Sequence, residues 1–216
     1  MTRDHRLAAV VLAGGFGTRV RHLLASLPKP LAPVCGRPFL YWVLQYLEAQ
    51  GVSRAVLATH HEAAQIKAFA DSPTGLRIHA SCVEETVPLG TGGAFADCVL
   101  GAGGDIPLWL VINGDSLVLA PLCRMLEAMQ DPDVDGVVAG VNVEDTSRFG
   151  QLKVDDRGCL SAFVEKKPGA GLINAGVYLF RKETVQGFPT KRPLSFELDI
   201  FPELIKLGST IKVVAY

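Results

Sequence analysis

Short apolar runs alternate with amphipathic stretches through the first two-thirds of this chain. Leu7 to Ala13 is apolar at every position, as a parallel strand buried on both faces requires. Arg54 to Thr59, Leu76 to Ser81, Leu108 to Asn113 and Gly136 to Val143 read as further strands. Pro38 to Gln50, His61 to Asp71, Thr91 to Leu100 and Ala120 to Gln130 read as the helices between them. In the first of these, Phe39, Trp42, Val43, Tyr46 and Leu47 share one face at helical spacing, which predicts a core-facing stripe. Such alternation predicts a mainly parallel sheet with helices on both faces. From Phe149 to Phe180 the pattern changes to short strands with turns at Asp156-Arg157-Gly158 and Pro168-Gly169, which predicts a mixed or antiparallel edge. A last helix, Phe196 to Leu207, leads into a strand, Ile211 to Tyr216.

Composition narrows the class. The 216 residues, with no linker or internal repeat, fit one domain spanning 1–216. A net charge of −1 with no basic block argues against nucleic acid as a partner. The cysteines (Cys35, Cys82, Cys98, Cys123, Cys159) are odd in number and widely spaced, which favours reduced, mostly buried thiols over disulfides or a zinc site. No apolar stretch approaches the roughly 18 residues of a membrane span, and the polar start MTRDHR lacks the core of a secretion signal. A cytoplasmic location is the expectation.

The candidate chemistry begins where the first strand ends. Gly14, Gly15 and Gly17 let the backbone turn sharply and bring N–H groups to an anion. Thr18 adds a hydroxyl, and Arg19 a planar fork of donors suited to phosphate. Lys29 stands between Pro28 and Pro30, which are expected to keep it out of a helix. A Walker loop is absent, and a dinucleotide fingerprint started at Gly15 fails because Val20 stands where a third small residue belongs. Asp115 follows the apolar strand LWLVIN, so its carboxylate is expected at the carboxyl edge of the sheet, where open α/β sheets bind ligands. There it would hold a metal ion, although Asn113-Gly114-Asp115 also reads as a plain turn.

Together these segments resemble the nucleoside-diphosphate-sugar pyrophosphorylases, the sugar-1-phosphate nucleotidyltransferases. The carriers are LAGGFGTRV and Lys29-Pro30, then PLGTGGA (88–94), Asn113-Gly114-Asp115, FVEKKP (163–168) and NAGVY (174–178), in the family's order. VEDTSRFG, GLINAGVYLF and LSFELDIFP resemble the manno-heptose 1-phosphate guanylyltransferase branch. The resemblance implies a three-layer α/β/α Rossmann-like fold with a smaller antiparallel acceptor-side region, GTP (or another NTP) and a sugar 1-phosphate as substrates, Mg²⁺ as the metal, and a homodimer as a candidate assembly. It implies nucleotide contacts at Leu12, Gly14, Gly15, Gly17, Thr18, Arg19, Gly90 and Thr91, catalytic roles for Arg19, Lys29 and Asp115, and a metal-holding role for Asp115. For the sugar phosphate it implies Gly150, Glu165, Lys166 and Asn174. Asn174 equally fits an amide satisfied by its own turn, and Asp199 reads as a cap or surface residue. Enzymes of this kind usually continue into a W-x-D-I-G-x-P segment with a second metal-binding aspartate, and nothing in this sequence matches it. A mannose-1-phosphate enzyme and a non-catalytic nucleotide-sugar-binding subunit are the alternatives.

Overall fold

The computed structural model describes residues 7–216 apart from 16, 18–21, 23, 25, 26 and 165–167. Its elements in chain order are β1 (Leu7–Leu12), β2 (Pro33–Val34), β3 (Arg37–Pro38), α1 (Phe39–Ala49), β4 (Arg54–Thr59), α2 (Ala63–Asp71), β5 (His79–Glu84) and α3 (Gly90–Gly101). There follow β6 (Leu108–Asn113), α4 (Cys123–Ala128), β7 (Gly136–Val143), β8 (Gln151–Val154), β9 (Leu160–Val164), β10 (Gly171–Arg181), α5 (Lys182–Gln186), α6 (Phe201–Lys206) and β11 (Ile211–Ala215). Strand order along the main sheet is β11-β7-β10-β6-β1-β4-β5. The pairs β6–β1, β1–β4, β4–β5 and β7–β11 are parallel, and β10 runs antiparallel to both its neighbours.

The apolar runs explain this arrangement. Alternate residues of each strand point to opposite faces, so Leu7, Ala9 and Val11 join Leu40, Leu44, Ile66 and Met125 in one core. Ala8 and Val10 join Phe95, Val99, Phe180, Phe196 and Phe201 in the other. Helices α1, α2 and α4 therefore cover one face, and α3, α5 and α6 the other, which gives the three layers. No helix among the described residues is long and apolar enough to cross a membrane.

Several expectations need correction. The strand expected at Leu76–Ser81 lies at His79–Glu84, fixed by its register with β4 (Arg54↔His79). On α1 the buried positions are Leu40, Val43, Leu44, Tyr46 and Leu47. Phe39 and Trp42 are only half-buried, because the Trp42 indole N–H turns to the Val34 carbonyl at 2.9 Å, in the β2–β3 hairpin that the sequence did not suggest. That hairpin turns on Cys35 (φ 49°) and Gly36 (φ 74°). Of the thiols, all free, only Cys98 and Cys159 are buried. The region from Phe149 to Phe180 is antiparallel as expected, but β10 is no edge. Val177 to Phe180 is fully buried, and β10 sits inside the sheet between β6 and β7. The helix expected at Phe196–Leu207 is broken into a π-helical turn, Phe196–Ile200, followed by α6.

Candidate active site

Strand order reverses between β1 and β6: the chain proceeds to β4 and β5 on one side and to β6 and β10 on the other. A crevice at the carboxyl ends follows from that reversal. A cavity of about 360 Å³ lies there, between the glycine turn after β1, the segment after β6 and the start of α3.

Three glycines shape its walls. The Gly114 N–H donates to the Leu12 carbonyl at 2.9 Å. A Cβ on Gly114 would stand 3.0 Å from that oxygen, tighter than an ordinary contact, so glycine suits the chain's close passage on its way to Asp115. Gly17 has φ +57°, and its Cα face packs on Lys29, 3.1 Å from a Cβ there to that of the lysine. Gly90 (φ +76°) lies against the Leu194 backbone, which a Cβ would approach to 2.8 Å at its nitrogen. The Gly92 N–H donates to the Leu194 carbonyl at 2.9 Å, and the Leu194 N–H to the Leu89 carbonyl at 2.8 Å. Gly90 thus serves first as a close-approach point between two chain segments, and lines the cavity from there.

Lys29 and Asp115 are brought together. The Lys29 ammonium donates to Asp115 Oδ2 at 2.7 Å, with side chains 37% and 38% exposed. Ser116 Oγ donates to the other carboxylate oxygen at 3.2 Å. The prolines do not keep Lys29 out of a helical turn: Lys29–Leu31 forms one 3₁₀ turn, with Pro28 supplying the carbonyl that accepts the Leu31 N–H at 2.8 Å. Proline suits a first turn, where its missing N–H leaves nothing unsatisfied.

Two residues at the far end of the cavity were not singled out in the sequence. Glu85 Oε2 accepts the Leu89 N–H at 3.0 Å, while Oε1 lies on the Gly14 side, 3.4 Å from where a Cβ on that glycine would be. His60 Nδ1 is 2.9 Å from the Glu85 carbonyl. Neither stands out in His60-His61 or Glu84-Glu85; only the fold, which puts β4 and β5 side by side with Thr59 paired to Glu84, faces them to the glycine turn.

The chain matches a model of the nucleotidyl transferase family over residues 8–213. It belongs to that family. This nucleotidyl transferase is 35% identical over 214 residues to the mannose-1-phosphate guanylyltransferase of Mycobacterium tuberculosis, covering 98% of this chain and 59% of that one. It therefore spans well under two-thirds of that relative's length. It is 32% identical to the D-glycero-alpha-D-manno-heptose 1-phosphate guanylyltransferase of Campylobacter jejuni, covering 88% of this chain and 83% of that one. The crystal structure of HddC from Yersinia pseudotuberculosis complexed with GMP-PN superposes with a TM-score of 0.83 at 33% identity, over 97% of this chain and 90% of that one.

Of the residues expected at the nucleotide, Leu12, Gly14, Gly15, Gly17, Gly90 and Thr91 line this cavity, and so do the catalytic candidates Lys29 and Asp115. Thr18, Arg19, Glu165 and Lys166 lie outside the described residues. Thr91 Oγ1 also accepts the Phe196 N–H at 3.3 Å. On the acceptor side the Asn174 N–H donates to the Gly150 carbonyl at 3.2 Å, so these two expected residues are neighbours. Nothing would touch a Cβ on Gly150. The Asn174 amide serves its own surroundings: Nδ2 donates to Tyr178 at 2.7 Å and to Glu197 at 3.3 Å, and Oδ1 accepts the Gly176 N–H at 2.9 Å. Asp199 is a cap, its Oδ2 accepting the Ser195 N–H at 2.8 Å.

Among the described residues no cluster of three or more His, Cys, Asp or Glu forms a metal cage. A single partly exposed carboxylate beside a glycine turn still suits Mg²⁺, which keeps waters and takes phosphate oxygens as its remaining ligands.

Proposed function

We propose that this protein transfers GMP from GTP to a manno-configured sugar 1-phosphate, giving a GDP-sugar and pyrophosphate. The observation that carries the reading is the meeting of Lys29 and Asp115 at 2.7 Å on the rim of a cavity floored by a glycine turn. In the reaction an oxygen of the sugar phosphate forms a bond to the α-phosphorus, and the bond from that phosphorus to the β-phosphate oxygen breaks. The nucleophile is already an anion, so no proton need be removed. Every reacting group is negative, and the protein's task is charge neutralisation and positioning.

Lys29 supplies a fixed positive charge, and the glycine turn supplies backbone donors. Asp115 would hold Mg²⁺ as an oxygen donor, and the bound ion would supply charge neutralisation to the phosphates. Glu85 supports guanine as the base. A carboxylate accepts two parallel N–H bonds, and the guanine edge offers N1–H and the N2 amino group side by side. Uracil and thymine offer a single N3–H flanked by carbonyl oxygens, so the second carboxylate oxygen would face a carbonyl, which it repels. The two guanylyltransferase relatives support the same base.

Heptose 1-phosphate is the acceptor we favour, on the relative that is covered over most of its length; mannose 1-phosphate is the second reading, on the relative matched along nearly all of this chain. Supply of GDP-sugar to surface polysaccharide in the cytoplasm accompanies this reading. The test is pyrophosphate release with Mg²⁺, crossing GTP, ATP, UTP and dTTP against heptose, mannose and glucose 1-phosphates. Release confined to GTP and a manno-configured acceptor is expected. A preference for UTP or dTTP, or silence from folded protein in every pairing, overturns it.

A further inference from the structure

The π-helical turn Phe196–Ile200 touches both halves of the site. Upstream, Leu194 and the Phe196 N–H are bonded to the Leu89–Gly92 segment of the cavity wall. Downstream, the Glu197 carboxylate is gripped on both oxygens. Oε1 accepts from the Tyr178 hydroxyl at 3.1 Å and the Asn174 amide at 3.3 Å, and Oε2 accepts from Ser195 Oγ at 2.9 Å. The donors are themselves immobile. Tyr178 is 3% exposed, with its ring against Phe196 at 4.8 Å and Phe201 at 5.0 Å between centroids. Asn174 is pinned through its Oδ1 by the Gly176 N–H. Ser195 Oγ also takes the Glu197 and Leu198 N–H groups, each at 3.2 Å.

Glu197 is nevertheless only half-buried. Each carboxylate oxygen has two acceptor positions. Those of Oε1 are filled, and among the described residues Oε2 has one taken, by Ser195. The carboxylate is bonded to Asn174, one of the residues expected at the sugar phosphate. Its partner Asn174 adjoins Gly150, around which there is open space, and Gly176 packs on Asn113, 2.7 Å from a Cβ to the Asn113 amide nitrogen. Asn113 lines the cavity two residues before Asp115. A π-turn interrupting a helix at such a point is a frequent mark of a functional position.

We infer that Glu197 accepts a hydrogen bond from a hydroxyl of the acceptor sugar and sets which sugar is taken. This rests on the sugar-phosphate reading above. A charge-assisted O–H···O⁻ bond is short and strong, and a carboxylate locked by three donors pays no ordering cost when the sugar arrives. Asn174, expected from the sequence to bind the sugar, acts here through Glu197 as a positioning residue.

Glu197→Gln is the decisive substitution. A glutamine can keep its amide oxygen toward Tyr178 and Asn174 and gives up only the bond from the Ser195 hydroxyl, whose oxygen already takes the Glu197 and Leu198 N–H groups. What also changes is the free acceptor position on Oε2, which becomes an N–H. The expected result is a KM for mannose 1-phosphate raised roughly tenfold to a hundredfold, with the KM for GTP unchanged and the melting temperature lowered by no more than a few degrees. Among mannose 1-phosphate and its 2-, 3- and 4-deoxy analogues, the wild-type enzyme should disfavour one, and Glu197→Gln should lose that discrimination. Tyr178→Phe, which loosens the grip, should raise the same KM by a smaller factor. An unchanged sugar KM in folded Glu197→Gln overturns the inference, as does a joint rise of both KM values with a larger fall in melting temperature, the signature of a structural role. If the wild-type protein turns over no substrate pair, the proposed reaction fails separately. Calorimetry with mannose 1-phosphate then decides Glu197: binding lost in the variant supports it, and equal or absent binding in both overturns it.

Discussion

Lys29 and Asp115 lie 86 positions apart in sequence and meet in a pair that is more than a third exposed. An exposed ion pair contributes ~1 kcal/mol or less to stability, so folding gains little from its placement. Lys29→Ala and Asp115→Ala should each leave the melting temperature within a few degrees of wild type and lower kcat by about a thousandfold or more, read by pyrophosphate release beside a thermal melt. Glu85→Gln should reduce kcat/KM for GTP by about tenfold or more and narrow the gap to UTP, because one of two parallel acceptors becomes a donor. Lys29 and Asp115 were legible in the sequence because each stands at a break in an apolar run beside glycine or proline. Glu85 was not, since nothing local separates it from Glu84. Its distinction is the Leu89 N–H four residues on and the Gly14 backbone opposite, and both depend on tertiary structure. Asn174 shows the reverse: its type and apolar surroundings marked it for the sugar, but its amide hydrogens are spent on Tyr178 and Glu197.

At the scale of elements, continuous apolar runs located strands closely: β4, β6 and β7 occupy the residues the pattern predicts. The failures have physical causes. In α1 the leucines took the core positions given to Phe39 and Trp42, because the unanticipated hairpin offered Trp42 a carbonyl at the surface. The last helix was read as uniform, but the Ser195 carbonyl takes the Ile200 N–H five residues on at 3.1 Å, which makes the π turn, while Ser195 Oγ caps the Glu197 and Leu198 N–H groups. Ser195→Ala should therefore cost about 1 kcal/mol of stability in denaturant titration, and should weaken sugar 1-phosphate binding more than GTP binding. Gly90→Ala tests the other end of the clasp. A φ of +76° costs a non-glycine residue about 1–3 kcal/mol, and the Leu194 backbone blocks the added methyl besides. Lower stability and impaired nucleotide binding are expected together, by chemical denaturation and by calorimetry with GTP.

Across the whole molecule, two cores on either side of one sheet hold the reacting rim in place, and burial there has a cost at high pH. Burial, aided by Glu85 and Asp97, pushes the Cys98 thiol from 9.0 up to about 12. Burial, with a contribution from Tyr216, pushes the Tyr46 phenol from 10.0 up to about 12. Both groups are neutral when protonated, so the folded state holds its protons more tightly than the unfolded state does. Their contribution is complete below about pH 9 and is lost as pH climbs toward 12. The melting temperature should fall with pH above 9, less steeply in Cys98→Ala, as followed by melts from pH 8 to 11. The mainly parallel sheet and the antiparallel sense of the later strands were legible from the pattern, whereas the place of β10 inside the sheet was not, because its apolar run carries no sign of which strands flank it. That insertion has one further consequence. Gly171 at the start of β10 pairs directly with Val143 at the end of β7, so residues 144–170 form an excursion whose two ends are already neighbours. Replacing this stretch alters Gly150, Glu165 and Lys166 at a stroke and leaves β1, β6 and the glycine turn in their own pairings. On the proposed function, such a chain has a short evolutionary route to a new acceptor: graft one cassette and leave the strands around the cavity as they are.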